Sequence, residues 1–370
     1  MRGMLRNWGL ILGVVLGCGR SAPNVSPNSS ELLFEGRFDT SAGAPRLEWP
    51  GSAIWLRFNG TGARVILGEH SLELDEYGQQ AHDWFEVTVD GHAAAPLKTT
   101  EGTGTYLLAS GLPAGEHQIV LRKRTEAFVG EAQLHGFDID PGSSLLPVEA
   151  PGRRIEFIGD SIAAGFGIDG AGPNCLFSAE TENYSETYAA LTAQALGAQH
   201  MVIAASGAGV YRNWGGSTSN TIGDLYGRTL PTDPSTRWDF SRWTPDVVVI
   251  NVGTSDFTSG DPGRDAFVGA YRKLVAQVRQ NYPSALIAIA VGPMLSDLWP
   301  AGARALTQGR SYVADLTAQL VQAGDTRIKL IEFPNQDHAG TFGCKSHPSA
   351  ATQRQMGEQL TAFLRQQLGW

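Results

Sequence analysis

A basic surface is the first thing this chain lacks. Its 28 lysines and arginines are outnumbered by 37 aspartates and glutamates, leaving a formal net charge of −9, and beyond the N-terminus no basic block occurs. That excludes nucleic acid as a partner and makes a neutral substrate a better match than an anionic polymer. Long apolar runs are missing after the first 17 residues, so no later segment can cross a bilayer as a helix. No Gly-rich phosphate loop and no cluster at metal-ligand spacing is present, so no cofactor and no metal are expected. No repeat of 20 to 50 residues is visible. Cysteine is scarce, three in 370 residues. What remains is a soluble, loop-rich composition with 42% hydrophobic residues, 18% charged residues and 45 glycines. The length is too great for one ordinary core and implies two domains. A monomer is expected.

The N-terminus reads as a targeting segment. Arg2 and Arg6 precede a short apolar core, Trp8 to Gly17, which ends in "VLGC", Val15 to Cys18. This resembles the lipobox of bacterial lipoproteins. It implies cleavage before Cys18, lipid on that thiol, export, and attachment to a membrane through the lipid alone. A plain secretory signal cut slightly later is the alternative. Gly19 carries no charge and gives no inner-membrane retention signal of the aspartate kind, so the outer membrane is expected if the source has one. Residues 19–30, rich in Ser, Pro and Asn, read as a flexible tether.

Two rhythms follow. Over residues 31–145 the chain alternates and turns often. "AIWLRFNG", "ARVILGEH", "DWFEVTVDG", "TYLLASGL" and "EHQIVLRKRTE" are short runs bounded by turn residues such as Asn59-Gly60 and Asp90-Gly91. Phe85, Val87 and Val89 share one face. Such strands predict an all-β sandwich. "DPGSSLLPVEAPG", Asp140 to Gly152, reads as a linker. Over residues 146–370 strands alternate with helices. "RIEFIGD", "HMVIAASG", "DVVVINVG", "ALIAIAVG" and "IKLIEFP" are apolar throughout, as in a parallel sheet covered on both faces. Phe267, Ala270, Tyr271, Leu274, Val275 and Val278 fall on one helical face, and a last helix begins near Pro348. The fold class is α/β, a doubly wound parallel five-stranded sheet behind a β-sandwich, with ligands expected at the carboxyl ends of the strands.

Those strand ends carry the chemistry. The first delivers Ser161 in "GDS", with only small residues after it. The second delivers Ser206-Gly207, the third "GTSD" with Ser255, and after the fifth comes "GCKSHPS" with His347. A serine hydroxyl needs a base in reach, and a neutral imidazole is the usual one. The order resembles the SGNH (GDSL-type) hydrolases, not the G-x-S-x-G elbow of α/β-hydrolases. "CLFSAETENYSETYAALTAQALGA", "SGAGVYRNW", "GTSDF", "GPML" and "GCKSHPS" further resemble the second family of carbohydrate esterases, which remove acetyl groups from plant polysaccharides and carry a jelly-roll sandwich ahead of the SGNH domain.

The resemblance implies a Ser161–His347 dyad, an acyl-enzyme on Ser161, and an oxyanion hole from the amides of Ser161 and Gly207 with a side-chain donor at position 255. Most of the superfamily has asparagine there; this chain has serine. Cys344 and Lys345 stand where an acid would precede the histidine, so a backbone carbonyl is expected to orient the ring. Asp337 could reach it only by a loop, and His338 and His135 read as structural. Asp160 and Asp256 read as turn-holding residues. With Cys18 lipidated, Cys175 and Cys344 remain, and a disulfide between them would pin the histidine loop to the loop after the nucleophile. Tyr211, Trp214 and Trp299 lie in loops on the same edge and are candidates for stacking on sugar, with plain packing as the alternative. The expected substrate is an acetylated polysaccharide or oligosaccharide. Two other readings stay open: a different GDSL-type esterase or lipase specificity, and a catalytically impaired carbohydrate-binding lipoprotein.

Overall fold

The computed structural model describes residues 23–336 and 341–370. The signal segment 1–18 with Cys18, residues 19–22, Asp337 and His338 lie outside the described residues. Among the described residues no helix is long and apolar enough to cross a membrane.

The first half is an antiparallel sandwich. One sheet contains β1 (Leu33–Glu35), β3 (Ala53–Gly60), β5 (Trp84–Val89), β6 (His92–Ala93), β7 (Leu97–Lys98), β9 (Gly115–Lys123) and β11 (Ser144–Leu146). The other runs β2 (Arg46–Leu47), β10 (Gly130–Ile139), β4 (Ala63–Ser71), β8 (Gly102–Ala109). Alternation turns every second residue inward. Leu56 and Phe58 of β3, Val65 and Leu67 of β4, Phe85 and Val87 of β5, and Ile119 and Leu121 of β9 are all buried in one core.

Two boundaries differ from expectation. Residues 23–30, expected as tether, are docked on the sandwich. Val25 exchanges both backbone hydrogen bonds with Phe137 (2.9 and 3.0 Å) and is buried, and the Asn24 carboxamide brackets the backbone of Ile139. One apolar side chain and one correctly placed amide suffice to hold a stretch that is polar by composition. Within the expected linker, β11 still pairs with β3.

The second half has a five-stranded parallel sheet in the order β13 (Ala198–Ala204), β12 (Arg153–Gly159), β14 (Val247–Asn251), β15 (Leu286–Val291), β16 (Ile328–Glu332). Helices cover both faces, which is why these strands are apolar on both sides. Ile155, Phe157, Val249 and Ala288 pack under α2 (Tyr188–Leu196) and α6 (Ala350–Leu368). Ile158, Val248, Ile250 and Ile287 pack under α4 (Arg264–Asn281) and α5 (Ala305–Gln322). The one-turn helices α1 (Ser161–Ala164) and α3 (Ile222–Leu225) follow β12 and β13.

The sandwich covers the β13 edge of this sheet. Arg37, fully buried, donates to Glu156 of β12 (3.3 Å) and to the carbonyls of Tyr226 (2.5 Å) and Arg228 (2.8 Å). Trp49 Nε1 donates to Thr229 O (2.9 Å). Glu35 pairs with Arg122 (3.2 Å) and with His200 of β13 (2.7 Å). An edge strand that would otherwise expose unpaired backbone is thereby closed off.

Candidate active site

β12 lies inside the sheet, and its last residue, Gly159, sits in register with Ala204 of β13 and Asn251 of β14. The loops leaving those three ends therefore emerge side by side. Ser161 stands two residues past the central end, Gly207 three past one neighbour, and Ser255 four past the other. Asp160 caps α1, its side chain accepting the Ile162 N–H (3.1 Å). The turn is held from the far side by Gln353 of α6, which donates to Ile162 O (2.9 Å) and accepts from Tyr188 N (2.9 Å).

His347 arrives from the loop before α6. Its Nε2 lies 2.8 Å from Ser161 Oγ, and its Nδ1 lies 3.2 Å from the Cys344 carbonyl. A carbonyl only accepts, so Nδ1 carries the hydrogen and Nε2 is left to receive the serine proton. Among the described residues no carboxylate bonds this ring. It is partly exposed, with Phe166 against it at 4.4 Å between centroids. Enclosure by protein pushes its pKa down to about 4, against the opposing pull of the Cys344 and Lys345 backbone. The imidazole is neutral at ordinary pH, as a base must be.

Three hydrogen-bond donors lie on the loops that leave these three adjacent strand ends. Among the described residues the Ser161 N–H, the Gly207 N–H and the Ser255 hydroxyl engage no other group. Gly207 adopts φ 75°, a left-handed conformation that a β-carbon would strain. Its carbonyl accepts the Trp214 N–H (2.8 Å). Asp256 organises the rest of that loop, accepting the N–H groups of Val210 (2.8 Å), Tyr211 (2.8 Å) and Arg212 (2.9 Å). Burial pushes Asp256 up to about 6 and Asp160 up to about 7. Asp256 bonds its turn through both oxygens and Asp160 through one, its Oδ2 having no partner among the described residues, and Asn251 lies buried within β14.

Cys175 and Cys344 form a disulfide. Gly170 leaves the room for it, because a β-carbon there would overlap both sulfurs. Cys344 N also donates to Gly167 O (2.9 Å). The residue whose carbonyl orients His347 is thus tied twice to the loop that follows Ser161. Trp214 and Trp299 are 71% and 60% exposed. Tyr211 is partly buried and packs on the apolar core beneath α4.

Residues 34–148 match the family model described as carbohydrate esterase 2 N-terminal, and residues 157–355 match the GDSL-like lipase/acylhydrolase family. The chain is 41% identical to a family two carbohydrate esterase from Clostridium thermocellum solved in complex with cellohexaose, with TM-score 0.84 and coverage of 92% of this chain and 99% of that one. The chain belongs to carbohydrate esterase family 2. Among curated relatives of this family 2 member, the cellulase/esterase CelE of Acetivibrio thermocellus is 42% identical over 340 residues; the match covers 92% of this chain but spans only 40% of CelE. An acetylxylan esterase / glucomannan deacetylase of Cellvibrio japonicus is 30% identical over 300 residues, 77% of this chain and 78% of that protein.

The family 2 site also contains residues that sequence reasoning passed over. Phe166 stacks on Phe177 at 4.3 Å and walls the histidine. Glu76 of the sandwich pairs with Lys345 (2.9 Å) and accepts the Phe177 N–H (2.8 Å). Glu126, also from the sandwich, accepts hydrogen bonds from the Ser206 backbone and hydroxyl. Of the two glutamates, only Glu126 falls in a segment singled out above, at the end of the strand run "EHQIVLRKRTE".

Proposed function

We propose that this chain is an exported serine esterase that removes O-acetyl groups from plant-type polysaccharides or oligosaccharides through a Ser161–His347 dyad. The observation that carries the reading is the 2.8 Å contact of His347 Nε2 with Ser161 Oγ, with Nδ1 on a backbone carbonyl. In the first step Nε2 takes the Ser161 proton as Oγ bonds to the acetyl carbon. The carbonyl oxygen becomes an oxyanion that the Ser161 amide, the Gly207 amide and the Ser255 hydroxyl stabilise. Collapse breaks the bond to the sugar oxygen, which leaves with the proton from His347. Water then gives a proton to His347 and its oxygen to the acetyl carbon, and collapse returns the proton to Ser161 and frees acetate.

The acetylxylan and glucomannan named for the Cellvibrio relative, and the cellohexaose bound by the Clostridium enzyme, support a β-linked plant glycan as substrate. Trp214 and Trp299 are the rings offered to it. The Cys175–Cys344 disulfide fits an oxidising compartment, and Cys18 would carry the lipid anchor. The test is acetate release from acetylated xylan, glucomannan and cello-oligosaccharides. Ser161→Ala should abolish it in a protein that still folds, since only a hydroxyl is lost. His347→Ala should be nearly as severe, and the double variant no worse than either. Retention of more than a few per cent of turnover by Ser161→Ala rules out the assignment.

A further inference from the structure

The carboxyl of Glu126 belongs to the sandwich yet reaches the strand-end loop of the catalytic domain. Lys123, at the end of β9, fixes the backbone there: its Nζ donates to Asp83 Oδ1 (2.5 Å), to Thr125 O (3.0 Å) and to Glu126 O (3.2 Å). Both oxygens of Glu126 are then spent on one residue. Oε2 accepts the Ser206 N–H (2.5 Å), and Oε1 accepts the Ser206 hydroxyl. The next amide is that of Gly207. That glycine is held on its far side by the bond from Trp214 N to its carbonyl (2.8 Å). The Ser206–Gly207 peptide is clamped at both ends, and the N–H between the clamps has no partner among the described residues.

We infer that Glu126 sets the position of the Gly207 amide and is a positioning residue, supplied by the sandwich, for the ester hydrolysis proposed above, an inference that rests on that reading. Two features separate it from an ordinary interdomain bond. It lands on the residue adjacent to the free amide, and it uses both oxygens there. A second buried carboxyl stands behind it. The fully buried Glu182 accepts the Glu126 N–H (3.2 Å) through one oxygen, while its other oxygen has no partner. Burial raises both carboxyls, and repulsion from Glu126 lifts Glu182 further, well above the ordinary range, while Glu126 rises to about 7. Lys123 is the cation facing the pair.

The experiment compares the purified full chain with Glu126→Ala, Glu126→Gln and Ser206→Ala. It reads kcat and KM for acetate release from acetylated xylan, and amide hydrogen exchange across 204–214. Glu126→Ala should lose at least tenfold in kcat with KM within twofold, and exchange should quicken at Ser206, whose N–H loses its acceptor, while the rest of the chain stays protected. Glu126→Gln, which keeps one oxygen acceptor, should recover part of the rate. Ser206→Ala retains the N–H bond and should lose less than Glu126→Ala. Unchanged kcat or unchanged exchange at Ser206 in Glu126→Ala overturns the inference, as does faster exchange throughout the chain. If Glu126→Ala does not fold, Glu126→Gln should still lose kcat at near-constant KM with faster exchange at Ser206, and wild-type kcat with wild-type exchange there in a folded Glu126→Gln overturns the inference. A wild-type chain that releases no acetate sinks the esterase reading instead, and exchange at Ser206 then decides the role of Glu126 alone.

Discussion

At the scale of single residues, the dyad makes a prediction about acid. A base works only while it is unprotonated, and the His347 ring is held down to about 4 by its enclosure. Protonation of His347 should therefore take nothing from the rate as pH falls from 7 to 5. The loss of about tenfold per pH unit that this base imposes should set in below about 4, rather than near the 6.5 of a free imidazole. A pH profile of kcat/KM checks it; an acid limb centred near 6.5 would show that something other than this neutral ring is titrating. Ser255 makes a second. Its hydroxyl stands where asparagine is expected, one bond shorter. A side-chain oxyanion donor is typically worth 10²–10³ in rate, so a weakened one should be worth about tenfold. Ser255→Ala should lower kcat by that much with little change in KM, measured on one acetyl ester. A neutral result would mean that two backbone amides make the whole hole.

At the scale of elements, strands and helices with an unbroken period were legible and those with a broken one were not. The five parallel strands were found because burial on both faces leaves a continuous apolar run. β10 was not, although it pairs with both β2 and β4. Its inward residues Ala132 and Leu134 change phase to Phe137 and Ile139 across a bulge between Leu134 and Gly136. A bulge destroys period-two alternation without weakening the strand. The site's loops divide the same way. Ser161, Gly207, Ser255 and His347 follow strand ends or precede a helix, where position in the fold dictates role. Glu126 sits in an irregular connection, and nothing local announces where its carboxyl goes. The disulfide belongs to this scale. It closes a loop of sequence separation 169, worth about 5 kcal/mol in the chain-entropy model. Cys175→Ser should lower the thermal midpoint by several degrees. It should also cut kcat more than KM, because the loop that presents the Cys344 carbonyl to His347 loses one of its two ties. A kcat equal to wild type in scanning assays below the new midpoint would confine the bridge to stability.

At the scale of the whole molecule, the two domains share charges that neither could bury alone. Arg37 and Glu156 are both fully enclosed. The run "RIEFIG" looked apolar throughout, and the glutamate inside it is tolerated because the partner cation arrives from 119 residues away. Removing one member of such a pair leaves the other unpaired in a low-dielectric interior, at about 3–5 kcal/mol. Arg37→Met should therefore be strongly destabilising in denaturant titration. Replacing Glu156 with Gln in the same chain should restore much of the loss, because a neutral amide is far cheaper to bury than a lone carboxylate. If the double variant is as unstable as Arg37→Met, the cost lies in packing around Tyr226 and not in charge.

The same contact governs how the chain must be made. Arg37 and Trp49 find their carbonyl partners at Tyr226, Arg228 and Thr229, roughly 180 to 190 positions further on. At ribosomal rates of about 5–20 residues per second, that interval lasts on the order of ten seconds or more. Throughout it the nascent sandwich carries a bare guanidinium and an indole on a surface built to be inside. Long-range closure of this kind slows folding and leaves a sticky intermediate for a holding chaperone to shield. Truncated products ending before Tyr226 should therefore aggregate even though the sandwich core is complete.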